Sequence, residues 1–297
     1  MTALVSVIMP CFNAGRWIRE AIESCLAQSH GEVEVIVIDD GSTDESLSVL
    51  QQYSGLVRWE TGPHRGGNHA RNRGLRLARG EYVQYLDADD MLLADKLADQ
   101  IRWLRETAAD VVYGDLRVQT HLPDRTIRVE HGGAFRDGRV PALDVVEALL
   151  EHGPTCPAAF LFRRAAILSA GDWDEELRCG QDRAFLLNVA LSGARFAYAA
   201  GECAVYRRWG ACTVSTQDPR TLVANHARVL SRAVSAFAAV GSLPGRYATA
   251  VARWCRAMRA AHAEKLDEQA HATLAALEHG LHEGTRMSSD PEWVNAA

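Results

Sequence analysis

Apolar runs and amphipathic stretches alternate regularly along the first 120 residues. Leu4, Val5, Val7, Ile8 and Met9 form a β-branched run closed by Pro10, which predicts a buried parallel strand over 4–9. Residues 14–28 then place Ile18, Ala21, Ile22, Cys25 and Leu26 on one face at helical spacing, with Asn13 as the expected cap. A second strand is predicted over 34–38, ending in Asp39-Asp40-Gly41-Ser42. Ser42 and Glu45 have capping-box spacing ahead of a helix that carries Leu47, Leu50 and Tyr53. Residues 56–60 predict a third strand, and the Gly- and Pro-bearing stretch 62–68 a loop. The next helix contains Ala70-Arg71-Asn72-Arg73-Gly74 and should close at Gly80. A strand over 81–86, a helix over 94–107 burying Leu97, Ile101 and Leu104, and a strand over 110–116 complete the half. Such β-α-β-α alternation predicts an α/β fold with a mixed, mostly parallel sheet flanked by helices.

The second half is less regular. Residues 120–139 read as an irregular or hairpin segment, 141–152 as a helix and 158–162 as a strand. A turn over 171–177 leads to a helix with Phe185, Leu186, Val189 and Ala190, followed by closing strands over 195–199 and 203–207. Beyond Pro219 the chain is alanine-rich and lacks strand signals, predicting about three helices over 220–283 and a frayed tail from Glu283. The expected organisation is a domain over 1–215, with halves 1–118 and 119–215, and a helical extension over 216–297.

Composition narrows the classes. With 47% apolar and 24% charged residues the chain is an ordinary globular one, and a net charge of −6 argues against a nucleic-acid partner. Seven cysteines, an odd number with no C-x-x-C pair, point to reduced thiols in a cytoplasmic protein. The N-terminus lacks a signal-peptide pattern, and no run approaches the roughly 20 apolar residues that span a bilayer; peripheral membrane contact stays open. The histidines show no zinc spacing.

Chemistry enters at Tyr82-Val83-Gln84-Tyr85-Leu86-Asp87-Ala88-Asp89-Asp90, a strand running into three carboxylates. Three acids over four residues repel one another unless something positive lies among them, and a divalent cation shared with a phosphate answers that. An isolated D-x-D is more often a solvated turn that begins a helix. Here, however, Pro10 to Asn13, Asp39-Asp40 and Asp87 to Asp90 all follow strands, which puts them on the carboxyl edge of the sheet where ligands bind.

Ser6-Val7-Ile8-Met9-Pro10-Cys11-Phe12-Asn13, Val37-Ile38-Asp39-Asp40-Gly41-Ser42-Thr43-Asp44, Ala70-Arg71-Asn72-Arg73-Gly74 and Leu86-Asp87-Ala88-Asp89-Asp90 together resemble, in order and spacing, the family 2 glycosyltransferases. The likeness covers roughly residues 4–209. It implies a GT-A fold, a nucleotide-sugar donor with UDP favoured, a divalent metal (Mn²⁺ or Mg²⁺) and inversion at the anomeric carbon. It further implies a carbohydrate, lipid-linked or other hydroxyl acceptor in the making of surface polysaccharide, glycolipid or glycoconjugate. A homodimer through the C-terminal helices is compatible with it.

The same resemblance distributes roles. Pro10, Phe12, Asn13 and Ala88 fall in donor-binding motifs, with Phe12 where the family sets an aromatic against the nucleobase. Asp40 matches the acid that accepts the base N–H, while the neighbouring Asp39 reads equally as a helix cap. Arg71 matches a basic position near the donor; Asp87 is expected near the ribose, Asp89 on the metal, and Asp90 in support of the loop. Asp182 matches the general base, with a helix cap as its bland alternative.

Two departures stand out. The family's usual Glu-Asp pair is Gln181-Asp182 here, and a common histidine after Tyr-Arg-x is Trp209, which cannot ligate a metal. These keep alive a sugar-nucleotide-binding protein with weak or lost catalysis. Val205 stands where processive relatives need glutamine, so polymer synthesis is not expected. A nucleotidyltransferase would need a Gly-rich basic loop in place of Pro10 to Asn13, and a glycoside hydrolase explains none of the early loops.

Overall fold

The runs of Val, Ile and Met near the N-terminus do become buried parallel strands. β1 (Val5–Cys11) pairs in parallel with β2 (Val33–Asp39) and β4 (Tyr82–Tyr85), and β2 with β3 (Arg58–Thr61). In this computed structural model, residues 3–133, 145–152, 155–209, 219–239, 244–262 and 264–284 are described. The nine-stranded sheet runs β3-β2-β1-β4-β8-β6-β9-β5, with β7 off this path and paired to the C-terminal end of β6. Here β5 is Met91–Leu92, β6 Val111–His121, β7 Ile127–Gly132, β8 Phe160–Arg163 and β9 Phe196–Arg208. Pairing is parallel across the first half; β8 then runs antiparallel to both β4 and β6, so the sheet is mixed, as the alternation predicts.

Helices α1 (Ile18–Leu26), α2 (Ser46–Gln52), α3 (Gly67–Leu77) and α4 (Lys96–Glu106) are the connections of the first half. The second carries α5 (Val145–His152), α6 (Arg164–Ala170) and α7 (Gln181–Leu191), then α8 (Pro219–Ala239), α9 (Gly245–His262) and α10 (Glu268–Gly284). Val223, Leu230, Phe237, Trp254 and Leu274 of the last three helices belong to the same contiguous apolar core as the sheet. The start expected for α5 near Pro141 and most of the tail expected from Glu283 lie outside the described residues.

Several local expectations are corrected. Asn13 does not cap α1, which begins four residues after Ala14; it takes a left-handed backbone (φ 50°) and its Oδ1 accepts from Thr43 N at 2.8 Å. Ser42 likewise caps no helix. Its hydroxyl accepts from Asn13 N at 2.9 Å, and Asp44 instead holds the start of α2 through Ser46 N at 2.9 Å. Both caps fail for one reason: the polar side chains tie two loops together before either can serve its own helix. Helix α3 ends at Leu77 ahead of Gly80, and the two closing strands are one, β9.

Helix α3 lies close on β1 because Gly74 has no side chain. A Cβ there would sit 2.3 Å from Ile8 Cγ2. Gly74→Ala should therefore lift α3 off the sheet and cost about 1–3 kcal/mol, read as a lower midpoint in urea unfolding.

Candidate active site

The carboxyl ends of β1, β2 and β4 bring the three predicted loops to one edge. Cys11 stands opposite Asp39, and Asp40 N donates to Cys11 O at 2.8 Å. Pro10 pairs with Ile38, one step in from the edge. Asp39 is buried; its Oδ2 accepts from Thr61 Oγ1 at 2.7 Å, while its Oδ1 has no partner. Asp40 is 4% exposed, and its carboxylate accepts from Arg65 N at 2.7 Å and Gly66 N at 2.8 Å, with His64 Nδ1 at 2.9 Å. Asp40 thus fixes the 62–66 loop. That loop presents His64 to Phe12, whose rings stack at 4.1 Å and 27°; Phe12 remains 47% exposed. Asn13 is exposed beside it.

The acids after β4 each meet a different partner. Asp87 Oδ1 accepts from Arg71 Nη2 at 2.6 Å. Asp89 Oδ2 accepts from Trp209 Nε1 at 2.8 Å, and its main-chain O from Arg207 Nη1 at 3.2 Å. Burial and then the Asp87 charge raise the Asp89 carboxyl above its ordinary range. Asp90 is 1% exposed and accepts from Arg207 N at 2.8 Å and the Cys156 thiol at 3.4 Å. Burial, with Asp89 and Asp87, pushes it well above the usual carboxylate range. Ala88 is buried between them.

Arg71 is the centre of the arrangement. It is buried, lies over the Trp173 ring (4.7 Å) and donates from Nη1 to Asn68 Oδ1 at 3.2 Å. Burial opposes its charge, but Asp87 and then Asp182 outweigh that and hold the guanidinium above its ordinary range. Asp182 thus lies close enough to Arg71 to support its charge. It is the second residue of α7, whose cap is Gly180 in a left-handed conformation (φ 71°), so Asp182 is not the helix cap. Gln181 Nε2 donates back to Arg178 O at 3.2 Å.

Sequence reasoning missed what holds the 171–177 turn, which precedes α7, against α3. Asn72 Nδ2 donates to Trp173 O and its Oδ1 accepts from Trp173 N, both at 2.9 Å, copying a strand pair with one side chain. Asn72 Nδ2 also reaches Glu175 Oε1 at 3.0 Å, and Asn68 Nδ2 donates to Asp174 O at 2.6 Å. Two asparagines at i, i+4 on the buried face of a helix were the available signal. Arg207, which spans Asp89, Asp90 and Glu20, was missed as well.

Among the described residues no three His, Cys, Asp or Glu side chains could hold a metal together. Asp87 and Asp89 nonetheless suit a hard divalent ion that draws its other oxygens from a diphosphate and water. Burial and then the neighbouring Asp87 charge raise the Asp89 carboxyl, and a cation beside the two acids would favour the ionised form, which is the fit test.

Residues 6–168, more than half of the chain, match the family described as glycosyl transferase family 2. A poly(ribitol-phosphate) β-N-acetylglucosaminyltransferase of Staphylococcus aureus is 40% identical over 149 residues, 48% of this chain and 44% of that protein. A putative teichuronic acid biosynthesis glycosyltransferase of Bacillus subtilis is 41% identical over 109 residues, 35% of this chain and 42% of that protein. The chain spans 30% to 46% of the length of the curated relatives it matches. Among solved structures, S. aureus TarS residues 1–349 in complex with UDP-GlcNAc superposes with a TM-score of 0.71 at 19% identity, covering 99% of this chain and 83% of that one. That likeness carries the GT-A fold.

Asn72→Ala removes three hydrogen bonds from the buried turn and leaves Trp173 N without its acceptor. It should destabilise by about 1–3 kcal/mol and raise hydrogen exchange in the 171–177 turn, both measurable on the purified protein.

Proposed function

The chain belongs to glycosyl transferase family 2, and from that premise we propose that it moves a sugar from a nucleoside diphosphate donor to an acceptor hydroxyl with inversion. The observation that carries this reading is Arg71, buried over the Trp173 ring and hydrogen-bonded to Asp87, with Asp182 close enough to support its charge. It supports a cleft with the donor diphosphate at one wall and a proton acceptor at the other.

The exposed face of Phe12, backed by His64, receives the nucleobase. Asp40 holds the 62–66 wall through two amides and offers its remaining lone pairs to a base N–H. Pro10, Asn13 and Ala88 belong to the strand ends and loops at this same edge and would border the donor. Asp87, oriented by Arg71, takes the ribose hydroxyls. Asp89, with Asp87 beside it, would hold Mn²⁺ or Mg²⁺. When bound, such an ion neutralises the departing diphosphate.

Asp182 takes the proton of the acceptor hydroxyl as its oxygen bonds to the anomeric carbon and the bond to the diphosphate oxygen breaks, in one displacement. Gln181 turns back to Arg178 O, so Asp182 works without an acid partner in the chain position before it. The poly(ribitol-phosphate) and teichuronic acid relatives, and the structural neighbour's UDP-GlcNAc complex, support a UDP-sugar donor and a cell-surface polymer acceptor. The six described cysteines are buried and unpaired, which supports a reducing, cytoplasmic setting. Among the described residues no helix is long and apolar enough to cross a membrane.

A second reading, a donor-binding protein without turnover, is favoured by Trp209, whose indole occupies the Asp89 oxygen, and by Gln181. Turnover separates the two. Asp182→Asn should lower kcat about 10²–10⁴-fold while the affinity for UDP holds; equal rates favour the binding protein. Calorimetry with UDP, dTDP and GDP that finds no binding would sink both. Asp89→Ala should abolish Mn²⁺ uptake measured in the presence of UDP, and EDTA should stop transfer by the wild type.

A further inference from the structure

Directly after Asp182 stands Arg183, the largest fully buried side chain among the described residues. Its Nε and Nη2 donate to Leu149 O and Leu150 O, in the last turn of α5, where carbonyls lack partners within their own helix. Its Nη1 donates to His226 Nδ1 of α8 at 3.1 Å, and its Cζ lies 5.4 Å from the centre of the Trp254 ring of α9. Among the described residues no carboxylate forms an ion pair with it. Burial lowers Arg183 to about 9, so it stays charged at neutral pH, and the same burial, with Arg183, lowers His226 to about 3, so the imidazole stays neutral and accepts.

A buried cation without a counter-ion is an expensive way to pack a helix, and an apolar residue of similar volume would fill the space. What the guanidinium adds is direction. Its planar fork sets the rotation and axial position of the first turn of α7 against three other helices. Gly180 completes the contact: a Cβ there would come within 3.0 Å of the His226 ring, so the α7 cap rests directly on α8.

We propose that Arg183 is the positioning residue for Asp182, pinning the first turn of α7 to α5, α8 and α9 so that the C-terminal helices are part of the catalytic unit. This rests on Asp182 as the general base. The side chain acts through Asp182 alone: it lies in the core, away from the donor loops, and touches neither Phe12, Asp40 nor the D-x-D acids.

The test is a double-mutant cycle on the full chain, with melting curves confirming that each variant is folded. Arg183→Lys keeps the charge and loses the fork; it should lower kcat by up to about 100-fold with UDP affinity by calorimetry unchanged. In the Asp182→Asn background it should lower kcat no further, because the group it positions is gone. If Arg183→Lys does not fold, His226→Leu serves in its place, with His226→Asn, which restores an acceptor, recovering kcat. Equal losses in both backgrounds, or UDP affinity falling in step with kcat, would overturn the proposal and make Arg183 an ordinary core residue. Wild-type kcat in Asp182→Asn alone overturns the base assignment instead.

Discussion

Like charges at the end of β4 set the terms for much of this molecule. Two carboxylates about 4 Å apart repel by about 4 kcal/mol at the effective dielectric of a protein surface, and Asp87, Asp89 and Asp90 crowd into four residues. Each is answered from elsewhere: Asp87 by Arg71 of α3, Asp89 by Trp209 past β9, Asp90 by the Arg207 amide and the Cys156 thiol. The partners lie 16 to 120 residues away in the chain. Much of the tertiary arrangement around the edge can be understood as the set of contacts that lets three acids share one turn.

Helix α3 is where those demands meet. Within two turns it supplies Asn68, Arg71 and Asn72, all buried, and it packs on β1 through a bare glycine. It faces the acids with one side chain and grips the 171–177 turn with the others. The acids after β4 and the 171–177 turn are thus tied to one helix that belongs to the first half of the chain.

Strands with both faces buried announce themselves as near-continuous apolar runs, so β1, β2 and β4 were legible, as were the acids after β2 and β4. Helix starts were not. Asn13 and Ser42 have the right chemistry for caps, but each is engaged by the facing loop about 30 residues away, a partner that no local pattern names. Asn72 was equally hidden, because its task is to imitate a backbone 101 residues distant. Arg183 reads in sequence as one more arginine near the start of a helix, and only the helices behind it reveal that it points inward. Trp209 was visible as a departure from the family pattern; that its indole N–H would lie on the Asp89 carboxylate followed from geometry alone.

The indole on Asp89 has a practical side. Trp209 sits at 2.8 Å from a carboxylate, Trp173 lies under Arg71, and Trp17 lies under Arg207 with its ring 5.9 Å from that of Trp209. Indole emission depends on which charges and donors lie against the ring. The acids and the arginines that answer them thus lie among the protein's own fluorophores, and an unlabelled sample can report, in intensity and wavelength, when a ligand arrives at those carboxylates.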